Sequence, residues 1–213
     1  MPLIYQHQIN EDSLLGLWHI TEPESFFTAA VPMGRDITHW HKRLQHLAGR
    51  YLLTALVPGF PSDLIRIADT RKPFLENEAW HFSLSHCGDY AAALVSAAQR
   101  TGVDIEGVTS KVEKVRHKFL SITEQELLSM TLSVNGGWNE LELLTACWSI
   151  KEAMFKWKGT GGIDFRTHLC IETLTLSGND GGAVCRIKKD EDRLLRVSFT
   201  RLEGSCLSWV LGG

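Results

Sequence analysis

No apolar stretch in this 213-residue chain approaches the roughly 20 residues needed to span a bilayer. The opening run from Met1 to His7 lacks a basic segment followed by an apolar core, so no secretion signal is expected. C-x-x-C pairs are missing too. The five cysteines, Cys87, Cys147, Cys170, Cys185 and Cys206, are odd in number and fit neither a disulfide framework nor a structural zinc site. A basic excess is also lacking: 22 Lys and Arg against 25 Asp and Glu give a net charge of -3, which argues against a general nucleic-acid binder. Nine histidines are present, yet His39, His41 and His46 have no second ligand cluster to complete a catalytic zinc site. These absences predict a cytoplasmic, reduced chain with neither a membrane nor a nucleic acid as partner.

What remains is an ordinary globular balance, 44% hydrophobic and 22% charged, in a chain long enough for one large domain or two small ones. Strands are predicted over Leu3 to Ile9, Leu14 to Ile20, Trp80 to Leu84, Tyr90 to Val95 and Gly102 to Val108. Thr21-x-x-Glu24 is a capping-box pattern for a short helix, and Asp36 to Leu56 keeps helical spacing up to Pro58-Gly59. Val112 to Leu120 is helical; Ser121-x-x-Glu124 and Thr123-x-x-Glu126 both offer caps for the next helix, which Asn135-Gly136-Gly137 breaks. After a long helix over Leu141 to Lys158, stopped by Gly159, four β-like runs alternate with Gly/Asp turns and predict an antiparallel sheet. Strands and helices occur in both halves without a βαβ rhythm, so the fold class is α+β. Trp40, Trp148 and Trp157 are assigned to the core.

Two segments carry chemistry. In the long helix, Leu143, Cys147, Ile150, Met154 and Trp157 form one apolar stripe, while Ser149, Glu152 and Lys156 share another flank. In Gly102-Val103-Asp104-Ile105-Glu106, alternation puts both carboxylates on one strand face. Read alone, the first is an exposed salt bridge and the second a solvated face. Read together, three carboxylates beside an amine suggest a hard cation and a phosphate.

In that order and about forty residues apart, Gly102-Val103-Asp104-Ile105-Glu106 and Trp148-Ser149-x-Lys151-Glu152-Ala153-x-x-Lys156 resemble the 4′-phosphopantetheinyl transferases. The likeness is to the long, monomeric type similar to the surfactin-synthetase-activating enzyme. A third motif, Trp80 to Tyr90 with Ser85-His86 before a Gly turn, extends the resemblance over roughly Trp40 to Gly159. Cys87 stands where the family often has Ser. Arg71-Lys72-Pro73 resembles a Gly-Lys-Pro element, with Arg71 in place of the usual Gly.

The resemblance implies two similar α+β halves, residues 1–101 and 102–213, related by a pseudo-twofold axis with the active site between them. It implies Mg2+, with Mn2+ able to substitute, held by Asp104, Glu106 and Glu152. Coenzyme A would meet Lys72, Ser85, His86 and Lys156, and the stripe of Arg43, His46 and Arg50 on the earlier helix offers cations for its 3′-phosphate. The same stripe also reads as a solvated basic face. Glu152, Lys156 and His86 take the catalytic roles, with Glu152 before Lys156 as candidate base. The implied reaction moves 4′-phosphopantetheine from coenzyme A to a serine of an acyl- or peptidyl-carrier protein and releases 3′,5′-ADP. A non-catalytic coenzyme A or carrier-binding module and a magnesium-dependent phosphohydrolase are the alternatives. Which carrier or pathway is served, and whether acylated coenzyme A is accepted, is not written in these motifs.

Overall fold

Burial along Tyr90–Ser96 explains the first sheet: six of its seven residues are buried, as expected of a strand covered on both faces. In the computed structural model, which describes residues 2–34, 36–134 and 137–212, this strand is β6. It pairs antiparallel with β2 (Ser13–His19) on one side and β5 (His81–Cys87) on the other; β1 (Leu3–Asn10) completes the order β1-β2-β6-β5. Helix α2 (Trp40–Leu56) packs on β6 and β2 with Leu47, Ala48, Leu52 and Leu53 fully buried. A short helix α1 (Glu24–Thr28) leans on α2, and a small hairpin of β3 (Arg66–Ile67) and β4 (Pro73–Phe74) follows. These elements form one compact unit, residues 2–101.

The second unit, residues 102–212, holds a five-stranded sheet. Its order is β7 (Thr101–Gly107), β11 (Ser205–Leu211), β10 (Arg193–Leu202), β9 (Asp180–Ile187) and β8 (Leu169–Ser177), the last four joined antiparallel. Helices α3 (Lys111–Phe119), α4 (Ile122–Val134) and α5 (Glu140–Lys158) cover it. All five apolar-stripe residues of α5 are at most 1% exposed, and the helix lies against β11, β10 and β8. A capping box at Asn139 and Glu142 starts α5, and Gly159 closes it at φ 69, a left-handed conformation that glycine takes without steric cost. Truncating any one of these buried side chains should cost about 2–5 kcal/mol.

Three sequence expectations are corrected. Thr21 and Glu24 form no capping box: α1 is capped at Pro23 without a side-chain bond, and the Glu24 carboxylate instead grips Arg43. The long first helix begins at Trp40, with the His39 ring accepting from the Lys42 N–H. Trp40 is 65% exposed and no part of the core. Of the two candidate caps for α4, Ser121 and Glu124 make the reciprocal bonds. The proposed break at Asn135-Gly136 lies outside the described residues.

Candidate active site

The acidic cluster of the second unit exists because β7 comes unusually close to α5. A Cβ at Gly102 would stand 2.0 Å from the Ala153 carbonyl oxygen and 2.9 Å from the Trp157 Cβ, so only glycine permits the approach. Ser149 Oγ then donates to the Asp104 carbonyl oxygen at 3.1 Å and fixes the register of strand against helix. The flank carrying Ser149, Glu152 and Lys156 therefore meets β7, and Ser149 is fully buried.

Asp104 is 3% exposed, and its Oδ1 accepts from Lys156 Nζ at 2.7 Å. Spacing on one helix points Lys156 to Glu152; the strand brings it Asp104 as well. Glu106 Oε1 accepts from the indole Nε1 of Trp148 at 3.1 Å. Burial, then the Asp104 charge, raises the Glu152 carboxyl to about 7, with Lys156 opposing and Glu106 adding to the rise. Glu106 is pushed up by the same two causes, while the Trp148 bond and Lys156 pull it down. The cluster thus holds more negative charge than its surroundings balance.

Among the described residues, no three His, Cys, Asp or Glu side chains form a ready-made cage for a metal ion. Mg2+ needs none, since it usually takes one or two carboxylates, several waters and substrate phosphates. The donor set of Asp104, Glu106 and Glu152 offers oxygen only and suits a hard cation by that chemistry.

Lys151 plays a different part from its neighbour. It is fully buried, and its ammonium donates to the carbonyl oxygens of Phe119 at 2.6 Å and Phe165 at 2.9 Å while pairing with Glu124 at 2.7 Å. The sequence carries a sign of this: Lys151 stands four residues after Cys147 and three before Met154, inside the apolar stripe. Trp148, expected in the core, is only half-buried and donates to Glu106. Its four-residue offset from Glu152 is the signal that could have revealed it.

In the first unit, a cleft of about 170 Å3 is lined by His46, Arg50, Arg71, Ser85 and His86 among others. Arg50 is 4% exposed and donates to the Ser62 carbonyl oxygen at 3.2 Å, which holds its guanidinium in place. His86 is exposed near the end of β5. Arg71 has φ 67, a left-handed conformation that glycine adopts freely, and adds a cation to the cleft wall. Arg43 is not in this lining: its Nε bonds both Glu24 oxygens at 2.8 and 2.9 Å, and its Nη1 bonds the Ile37 carbonyl at 3.0 Å. Lys72 lines a separate cavity of about 80 Å3 with Trp80, His81 and Arg100. Burial, with Arg100 adding, lowers its ammonium to about 8, so it remains mainly protonated at neutral pH.

The strand and helix that build the acidic cluster fall within the segment with known kin. Residues 100–203 match the family model described as the 4′-phosphopantetheinyl transferase superfamily. Among individual relatives, the chain is similar to the L-aminoadipate-semialdehyde dehydrogenase-phosphopantetheinyl transferase of Xenopus laevis, at 32% identity over 54% of this chain and 43% of that protein. The mouse protein of the same name is 28% identical over 54% of this chain and 42% of its own length. The matched region spans less than half the length of these relatives.

Proposed function

We propose that this protein transfers the 4′-phosphopantetheine arm of coenzyme A to a serine of an acyl- or peptidyl-carrier protein, releasing 3′,5′-ADP. The observation that carries the reading is the oxygen-only cluster of Asp104, Glu106 and Glu152 with Lys156, built by the two motifs inside the matched segment. The names of the relatives, which specify phosphopantetheinyl transferases, support the same class.

The roles divide by charge. Asp104, Glu106 and Glu152 would hold Mg2+, for which Mn2+ can substitute. When bound, the ion offsets charge on the diphosphate of coenzyme A. Lys156 Nζ, already held by Asp104 Oδ1, is poised to hold a phosphate oxygen as charge develops on the leaving nucleotide. Glu152, half-buried beside Asp104 and Lys156, would take the serine proton, directly or through water. The serine oxygen then forms its bond to the β-phosphorus, and the bond to the bridging oxygen of 3′,5′-ADP breaks. In the first unit, Arg50, Ser85 and His86 line the cleft suited to a phosphate, and Lys72 supplies a further cation. The chain acts as a monomer in the cytoplasm on this reading.

Intact mass spectrometry of candidate apo-carriers incubated with the protein, coenzyme A and Mg2+ tests the proposal. A gain of one phosphopantetheine on the carrier serine is expected. Phosphate released from coenzyme A without any carrier would point to a phosphohydrolase, and coenzyme A binding without transfer would leave only a binding module.

A further inference from the structure

The buried ion pair of Lys151 and Glu124 stands apart from the acidic cluster, yet two of the three contacts of its ammonium lead toward Trp148. The two carbonyls it binds belong to Phe119 and Phe165. The rings of those residues enclose the Trp148 indole: Phe119 meets it edge-on at 5.0 Å and 69°, and Phe165 stacks on it at 5.4 Å and 24°. The indole in turn donates to Glu106. Phe119 ends α3, and Phe165 lies in the turn between α5 and β8, so no local structure ties the two rings together. Glu124 completes the frame. Its Oε2 accepts from the Ser121 N–H that opens α4, and its Oε1 accepts from the Ile171 N–H of β8 at 2.8 Å.

We infer that Lys151, neutralised by Glu124, is a positioning residue that sets the Phe119–Trp148–Phe165 clamp and thereby aims the Glu106 carboxylate. A lysine taken wholly out of water needs such partners, and three acceptors converge on this one. Aromatic pairs at these separations hold each other's orientation, and a carboxylate fixed by an indole N–H has fewer orientations to lose on binding a cation. Reading Glu106 as a ligand rests on the function proposed above; the clamp itself does not.

The test therefore reads the indole directly. In 15N-tryptophan-labelled protein, Trp148→Phe identifies the Trp148 Nε1–H signal, and its hydrogen-exchange rate is compared with that of Trp157. Trp157 serves as control because its Nε1 donates to the Gly212 carbonyl at 2.7 Å, away from the clamp. Lys151→Met alone leaves Glu124 charged and buried, so it is paired with Glu124→Gln to keep the interior neutral. A second variant, Phe165→Leu, removes one jaw of the clamp at a half-buried position and keeps the fold independent of the ion pair. Both should speed exchange at Trp148 by about tenfold or more with Trp157 unchanged. The half-saturating Mg2+ concentration for transfer should rise about 10- to 100-fold, with KM for coenzyme A unaltered. Unchanged exchange at Trp148 in a folded double variant would overturn the inference, as would equal acceleration at Trp157. Absence of transfer by the wild-type protein would instead overturn the functional reading, and the exchange rates would still decide whether Lys151 sets the clamp.

Discussion

The two units meet opposite electrostatic problems and solve them differently. In the first, cations gather around a cleft, and the guanidinium of Arg50 is steadied by a neutral carbonyl that leaves its charge intact. In the second, carboxylates gather, and burial and mutual repulsion raise two of the three toward neutrality. The first arrangement tolerates an empty cleft, because Arg71 and His86 are exposed to solvent and the buried Arg50 guanidinium is hydrogen-bonded within the protein. The second stores an unfavourable charge that a bound cation would relieve. A preformed anion site and a frustrated cation site should therefore respond differently to the same kind of substitution.

Asp104→Asn should break the second site most completely. It keeps the side-chain shape while removing the charge that Lys156 faces, so transfer should fall by at least about two orders of magnitude with the fold retained. Chelation should stop the native protein, and Mg2+ or Mn2+ should restore it. Single-turnover assays and circular dichroism check both parts.

Removing a charge from the first site should cost binding alone. Arg50→Gln should weaken coenzyme A by about 10- to 100-fold and 3′-dephospho-coenzyme A far less, because a charge-assisted contact contributes about 1.5–3 kcal/mol. Arg43→Ala sharpens the contrast. Its guanidinium is engaged by Glu24 and Ile37, so an equal, small loss for both ligands is expected. Isothermal titration with the two nucleotides separates these outcomes.

Stability should move the other way in the acidic cluster. The folded carboxyl of Glu152 is raised to about 7 from 4.5, so between those values the native state binds the extra proton. The contribution is fully present below about 4.5 and lost as pH rises through about 7. Glu152→Gln should consequently stabilise the metal-free protein at pH 8 by about 1–2 kcal/mol, and by much less at pH 5. Thermal melts at the two pH values decide it. An equal shift at both would mean that the charge is not the cause.

The smallest effect belongs to Arg71. Its φ of 67 costs a non-glycine residue about 1 kcal/mol, which Arg71→Gly should recover while weakening coenzyme A. A variant both more stable and tighter-binding would remove Arg71 from the cleft's function.

Much of this was legible in the sequence, because periodicity and capping are local. The apolar stripe of α5 and the Ser121–Glu124 cap both follow from spacing along one element. What escaped depends on which element approaches which. The pairing of Lys156 with Asp104 needs β7 laid on α5, which Gly102 permits without announcing. Arg43 falls on the basic face of α2, yet its engagement by Glu24 comes from α1. Trp40 has apolar spacing at a helix start, yet it is 65% exposed and its ring meets only that of its neighbour His41 among the aromatic contacts of the described residues. Lys151 lies inside the apolar stripe by spacing, yet a charged residue there becomes intelligible only with its distant acceptors in view.

The central claim is that Glu152 and Lys156 perform chemistry instead of forming an exposed salt bridge. Single-turnover transfer to an apo-carrier at saturating coenzyme A, followed by intact mass for wild type, Glu152→Gln, Lys156→Met and the double variant, tests it most directly. Each single variant should lose about two orders of magnitude or more in rate, and the double variant should lose far less than the product of the two. Wild-type rates in both single variants, with Mg2+ present and the proteins folded, would contradict the account.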